Sequence, residues 1–356
     1  MNARIAAFLV AALLVLGGGA LLRQQQGRSQ RPAESGALGQ PLLKGLQAAA
    51  VSSIRIGEAG ATLTLERKDA RWIIAERAGF PADLGKVRDF VIQAIGLKVG
   101  QSEPIGDKDR ARLQLDASGA RVEFLDAQGK TLASFIAGRK FFKREPENPG
   151  QAAADGRFVL LPDDPGRVVV VASPLTQVTA RTAEWVSRQG LAIEKLRTLE
   201  YRPVAGEGWK IERAGDNTEW QLAGAKPQEK LEITKVNAAA YSLQNLDIAD
   251  VAAGNLKPED TGLDQPAQIT AATFEGLTYT IRVGKLAGEQ YHVAFGVAGE
   301  PKTEGQDAEE RNRKLAERLP REKALADYVL LVAKGGLEDV LKARAELLAK
   351  PQEQKK

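Results

Sequence analysis

The sequence predicts an α+β fold: a tandem duplication of one antiparallel-sheet-plus-helices unit, preceded by one N-terminal transmembrane helix. Three observations predict it. A corner motif occurs twice, as GATLTLERKDARWIIAER from Gly60 to Arg77 and as GWKIERAGDNTEWQLAGA from Gly208 to Ala225. Each reads as an alternating strand, a Glu-Arg pair, a polar turn and a Trp opening a second strand. The elements that follow each corner recur in the same order. Finally, Ile5 to Leu22 is an apolar run of 18 residues without a charge.

That run sits at the short end of a membrane-spanning helix. A cleaved signal peptide would have a shorter apolar core ending in a small-x-small site. Here Leu21, Leu22 and Arg23 crowd the only small residues, so residues 1–22 read as an uncleaved anchor. Only Arg4 precedes the span, whereas Arg23, Arg28 and Arg31 follow it, and this imbalance argues for a cytoplasmic body. Long downstream domains are nevertheless exported largely regardless of flanking charge. The expected location is therefore the bacterial inner membrane, single-pass, with the body in the periplasm. Residues 23–49 open with a Gln-, Gly-, Ser-, Arg- and Pro-rich stretch that reads as a flexible tether.

The first repeat is assigned to 50–190 and the second to 191–350, with a polar tail at 351–356. VSSIRIG near Val51 and IEKLRTLEY near Ile193 begin the two repeats as strands. After the corner, Leu84, Val87, Val91, Ala94 and Leu97 recur at helical spacing, and so do Ile233, Val236, Ala240, Leu243 and Leu246. Both sets are expected to face a core. Hairpins follow at Ala120 to Gly138 and at Ala267 to Gly284, turning at Gly129 and Gly276. GRFVLLP continues the first repeat; EQYHVAF and DYVLLVA continue the second. A closing helix is expected at Leu175 to Val186 and again at Leu337 to Leu348. Trp72 and Trp220 are expected to fill equivalent core positions, because a Trp buries a large area. Regular strand–helix alternation with a Gly-rich first turn, which a dinucleotide-binding fold requires, does not occur.

The RW-I-I strand, the amphipathic helix, TGLDQPAQITA at Thr261 to Ala271, the Ile-x-Val-Gly strand end and YVLLV together resemble the domain of unknown function 4340 family of bacterial envelope proteins. The resemblance spans about residues 50–350 as two copies. It implies one N-terminal span and an association with an ABC transporter permease or a gliding-motility-type auxiliary subunit. It transfers no catalytic residues. The Gly-Leu-Asp-x-Pro turn at Gly262 to Pro266 has no counterpart in the first repeat, which reads RLQLDASGARVEF at Arg112 to Phe124.

Composition narrows the chemistry. There is no Cys, which excludes disulfides and thiolate chemistry, and there is one His, His292. The net charge of +4 is carried by Arg4, Arg23, Arg28, Arg31 and Lys44 against Glu34, so the body is neutral and no nucleic-acid partner is expected. His292 lies mid-strand, where packing explains it better than catalysis. DAQGKT at Asp126 to Thr131 ends like a phosphate-binding loop but has Phe124 where the upstream Gly belongs. Asp107 to Arg110 and Asp163-Asp164 read as a strand approach and a turn. No catalytic, cofactor-binding or metal-binding residue is therefore assigned, and no cofactor. Two long charged segments, Arg139 to Gly156 and Gly296 to Asp327, are expected to interrupt the repeats at the same place. The second should hold a short helix from about Asp307 to Leu319, ending before Pro320, and both are candidate partner contacts.

The function expected is that of a membrane-anchored, exported accessory or scaffold protein working by protein contacts with an ABC transporter complex, not an enzyme. The alternative is a periplasmic binding module for an envelope glycan, lipid or peptide.

Overall fold

The computed structural model describes residues 38–349 except 145, 149–151, 188–190, 245 and 302–307. The expected anchor, the tether up to residue 37 and the polar tail lie outside the described residues. Among the described residues no helix is long and apolar enough to cross a membrane. The end of the tether is packed. Leu42, Leu43 and Leu46 are buried, and the Leu42 N–H donates to the Leu97 carbonyl, so the folded body begins ahead of residue 50.

The fold is mixed α+β, mostly strands, with two antiparallel sheets. The first contains β1 (Ser53–Glu58), β2 (Ala61–Lys68), β3 (Arg71–Ile74), β4 (Phe80–Pro81), β5 (Gln101–Pro104), β6 (Ala120–Leu125), β7 (Thr131–Phe141), β8 (Gly156–Leu161) and β9 (Asp164–Val171). The second contains β10 (Leu196–Arg202), β11 (Trp209–Glu212), β12 (Gln221–Leu222), β13 (Ile248–Val251), β14 (Ala267–Thr273), β15 (Leu277–Ala287), β16 (Gln290–Gly299) and β17 (Leu330–Ala333). Their orders are β4-β3-β2-β1-β6-β7-β8-β9-β5 and β12-β11-β10-β14-β15-β16-β17-β13. Apart from β4 the two orders correspond strand for strand. Two compact units are formed. Of the described residues, one takes those up to Val51, Ile56–Gly60 and Val91–Thr179; the larger takes Ser52–Arg55, Ala61–Phe90 and those from Ala180 onward.

Period-two alternation sets the buried face of each strand. Ile54 and Ile56, Leu63 and Leu65, and Val122 and Phe124 are buried in the first sheet; Ile269 and Ala271, Tyr279 and Ile281, and Val293 and Phe295 are buried in the second. In the repeated corners the Arg meets the Trp. Arg67 is the cross-strand neighbour of Trp72, and the Arg213 guanidinium lies 4.6 Å over the Trp220 ring. Gly129 and Gly276 take the positive φ their turns need, at 77° and 87°.

Five helices are described: α1 (Leu84–Ile95), α2 (Asp107–Arg112), α3 (Ile233–Ser242), α4 (Pro258–Thr261) and α5 (Ala308–Lys323). Val87, Val91, Ala94 and Leu97 are buried as expected, and so are Val236, Ala240, Leu243 and Leu246. The first member of each expected stripe is not. Leu84 is 63% exposed and Ile233 46% exposed, while Phe90 and Ala239 complete the buried faces.

The two expected closing helices are instead irregular turns, each followed by a single 3₁₀ turn, Thr182–Glu184 and Arg344–Leu347. Tertiary hydrogen bonds explain this. Asp83 N–H donates to Trp185 O and Ser187 N–H to Pro81 O; likewise Glu232 N–H donates to Leu347 O and Ala349 N–H to Lys230 O. These bonds bracket the isolated bridges Ala82↔Val186 and Leu231↔Leu348. The bridges need extended backbone at Val186 and Leu348, which a helix running through those residues would not have. Each returning segment thus clasps the residues just ahead of α1 or α3.

The long charged segments do not interrupt corresponding places. Arg139–Gly156 links β7 to β8, whereas the second segment links β16 to β17. Helix α5 also runs through Pro320 instead of stopping before it. Proline removes one ladder bond, but Ala324 N–H still donates to Pro320 O.

The expected equivalence of Trp72 and Trp220 as core residues fails at Trp72. Trp220 is buried, but Trp72 is only half-buried. The fully buried Trp is Trp185, edge-on to Phe90 at 5.5 Å between ring centroids. Trp185→Ala is accordingly expected to cost roughly 3–5 kcal/mol and Trp72→Ala less than about half of that. Urea unfolding of the two variants checks this, and equal losses would contradict the assignment.

Candidate functional site

In the larger unit, the approach to β10, the β11–β12 hairpin, the β14–β15 turn and helices α3 and α5 converge around Lys195. Two cavities flank it, of about 220 Å³ on the α5 side and about 350 Å³ on the α3 side. Glu275, in the β14–β15 turn, receives Lys195 Nζ at 3.0 Å on one oxygen and Arg318 Nη1 at 3.0 Å on the other. The hydrogen bond it donates to Glu275 holds the Lys195 ammonium above the usual lysine range.

Arg318 projects from α5 and joins four groups. Besides Glu275, its Nε donates to Glu322 Oε1 at 3.0 Å, and its Nη2 donates to Ala192 O at 3.0 Å and to the Tyr279 hydroxyl at 3.2 Å. Tyr279 in turn donates to Glu322 Oε2 at 2.6 Å. Tyr279 and Glu322 are buried. Burial first, then the hydrogen bond to Glu322, raises the Tyr279 phenol far above the ordinary tyrosine range, so it stays a proton donor. Two glycines let α5 come this close. A Cβ on Gly299 would lie 2.8 Å from Leu315 Cδ1, and one on Gly276 would lie 2.7 Å from the Glu300 carbonyl. The charged segment expected to hold a short helix thus holds a longer one, fixed to the second sheet.

On the other side of Lys195, Arg213 is likewise saturated. Its Nε donates to Leu196 O at 2.6 Å, its Nη2 to Asp216 Oδ1 at 2.7 Å, and its Nη1 to Asp216 O. Helix α3 supplies Asn237 and Tyr241, and the turn after it Gln244, as the opposite wall. A third, open cavity of about 520 Å³ lies beside the start of α1, lined by Trp72, Pro81, Ala82 and Leu84 among others.

The residues weighed in the sequence lie elsewhere. His292 is buried in β16, and its Nδ1 lies 3.0 Å from the Lys285 carbonyl, a packing role. Asp107 and Asp109 form exposed pairs with Arg110 and Arg112 in α2. Asp163 and Asp164 lie at the β8–β9 turn. Asp126 closes the β6–β7 turn by accepting from the Gln128 and Lys130 N–H groups. Gly262 of the Gly-Leu-Asp-x-Pro turn ends α4 at a φ of 72°. A Cβ there would lie 2.7 Å from the Lys285 nitrogen, so its role is backbone fit. Among the described residues no group of three metal-ligating side chains comes together.

A comparison with known families matches Domain of unknown function (DUF4340) over residues 72–266 as one stretch, more than half of the chain. The chain belongs to the DUF4340 family. The stretch begins in β3 and ends just before β14. No curated protein and no solved structure matches this DUF4340 chain.

The Tyr279–Glu322 bond sets a pH dependence. Because the folded-state pKa of Tyr279 lies above its unfolded value, the bond's contribution is fully present below pH ~10 and is lost as pH rises toward the folded value. Burial raises Tyr201 and Tyr328 as well. Tyr279→Phe is expected to destabilise by about 1–3 kcal/mol at neutral pH, because Glu322 loses a buried donor. It should also flatten the loss of stability above pH ~10. Urea unfolding at pH 8 and pH 11 checks both, and an unchanged alkaline slope would contradict the network.

Proposed function

We propose that this DUF4340 protein is a non-enzymatic scaffold that works by protein contact and carries its contact surface twice. In this reading the body is a tandem duplication, Ile5 to Leu22 anchors it in the bacterial inner membrane, and the body faces the periplasm. Its partner is the permease or auxiliary subunit of an ABC transporter complex. The uncharged N-terminal run supports the anchor. The matched strand orders and matched clasps support the duplication.

The observation that carries the contact reading is a pair of matched exposed apolar positions. Helix α1 exposes Leu84 (63%) and Ile92 (58%); helix α3 exposes Ile233 (46%) and Tyr241 (63%). Each pair is eight residues apart, so it lies on one helix face two turns along. Aligning Leu84 with Ile233 also aligns the buried residues Val87 with Val236, Phe90 with Ala239 and Val91 with Ala240. Single exposed apolar residues are ordinary. Here two helices leave large apolar side chains exposed at the same two positions, one of them beside the open cavity at Trp72. Burying such a side chain against a partner contributes roughly 1.5–3 kcal/mol.

Leu84→Glu combined with Ile233→Glu is therefore expected to lower co-purification of the membrane partner about tenfold or more, since each would place a charge in an apolar contact. Each single variant should lower it less. Both positions are exposed, so melting curves should stay within a few degrees of the parent. Full co-purification by the folded double variant would sink the proposal.

A further inference from the structure

We propose that the cleft between α3 and the β11–β12 hairpin is a binding site for a neutral saccharide of one or two rings. This goes beyond the contact reading and shares only Tyr241 with it. Three features of the cleft carry it.

The first is charge. Both cations that line the cleft are already neutralised, Lys195 by Glu275 at 3.0 Å and Arg213 by Asp216 at 2.7 Å. Arg213 is further held by the Leu196 carbonyl and by the Trp220 ring beneath it. Glu194 adds a negative charge to the wall. An anionic ligand would meet cations that already have carboxylate partners and a further carboxylate in the wall, and an apolar ligand would strand the polar wall.

The second is the kind of polar group that remains. Asn237, Gln244 and Asn217 line the cleft, and no side-chain hydrogen bond to another described residue engages them. Each carboxamide offers two donors and one acceptor with two lone pairs. A sugar hydroxyl likewise both donates and accepts. Amide walls therefore satisfy a polyol, whereas a phosphate would use only the donors.

The third is shape. Asn237 and Tyr241 are four apart on one face of α3, and Gln244 lies in the turn just after the helix, its N–H donating to the Tyr241 carbonyl. Tyr241, 63% exposed, stands between the two amides and offers a ring face to the apolar C–H side of a pyranose. The volume of about 350 Å³ is at the small end of ligand pockets, which run from roughly 300 to 1,000 Å³.

The test is titration of the full-length chain, held in an amine-oxide detergent so that no glycoside competes. Cellobiose, maltose and N,N′-diacetylchitobiose are followed by saturation-transfer NMR. At least one should bind saturably, with a dissociation constant between about 10 μM and 1 mM. Asn237→Leu and Gln244→Leu should each weaken that binding about tenfold, the loss of one hydrogen-bonded contact. Tyr241→Ala, at an exposed position, should weaken it without any change in melting. The Leu84→Glu variant should bind the sugar as the parent does, which separates this site from the contact surface at α1. No saturable binding of the three sugars would overturn the proposal, as would folded amide variants that bind like the parent. Competition by inorganic phosphate at equal concentration would overturn it too, by showing that the cations are available.

Discussion

The clasp ahead of α1 and its counterpart ahead of α3 are the constraint on which the exposed surfaces depend. Ala82 pairs with Val186 and Leu231 with Leu348, each pair bracketed by two backbone hydrogen bonds. The partners are far apart in sequence, so closing the clasp is entropically costly and two bonds alone would not hold it. Burial supplies the difference: Trp185 packs edge-on to Phe90, and Leu347 is fully buried beside its bridge. Once the clasp fixes the chain just before the helix, the rotation of the helix follows. Val87, Phe90, Val91 and Ala94 turn inward in α1, and Leu84 and Ile92 are left outside. The same geometry in α3 leaves Ile233 and Tyr241 outside.

A second constraint is polar. Glu322 and the Tyr279 hydroxyl are removed from water, and a buried group of this kind is tolerable only when its partners are present. Arg318 provides them while also reaching Glu275 and the Ala192 carbonyl. The network turns a long charged connection into a fixed helix. A comparable pairing occurs at Asp250, which accepts from Arg77 Nη2 at 3.1 Å and from Thr182 Oγ1 at 2.7 Å. That pair ties the corner after β3 to β13, and Tyr328 adds a hydrogen bond to Gly79 O and an edge-on contact with Phe80.

Strands were the most legible part of the sequence, because period-two alternation is a property of each strand alone and the turns carry glycine where positive φ is needed. Helices α1, α3 and α5 were legible in position and misread at one edge, whereas α2 was read as a strand approach and α4 was not expected. Leu84 lies three residues before Val87, so spacing alone assigns it to the buried stripe, and only the clasp turns it outward. Phe90 was legible too, being three after Val87 and four before Ala94. The segments at Leu175 and Leu337 have apolar residues at helical intervals, yet their ends are drawn into extended tertiary bridges at Val186 and Leu348, and local pattern holds no record of those. Trp72 and Trp220 open comparable strands, but burial depends on what lies across the strand: Trp220 has Arg213 over its ring, whereas Trp72 borders an open cavity. The cleft at Asn237, Asn217 and Gln244 was not legible, since amides separated along the chain carry no spacing signature until α3 and the hairpin bring them together.

The central claim is that α1 and α3 present equivalent contact faces. Site-specific photo-crosslinking in living cells tests it most directly. A benzophenone side chain placed at Leu84, Ile92, Ile233 or Tyr241 should capture a membrane partner from each helix, and one placed at the buried Val87 or Val236 should capture none. Irradiation that yields no adduct from any of the four exposed positions, or adducts only from the charged segment that contains α5, would contradict the account.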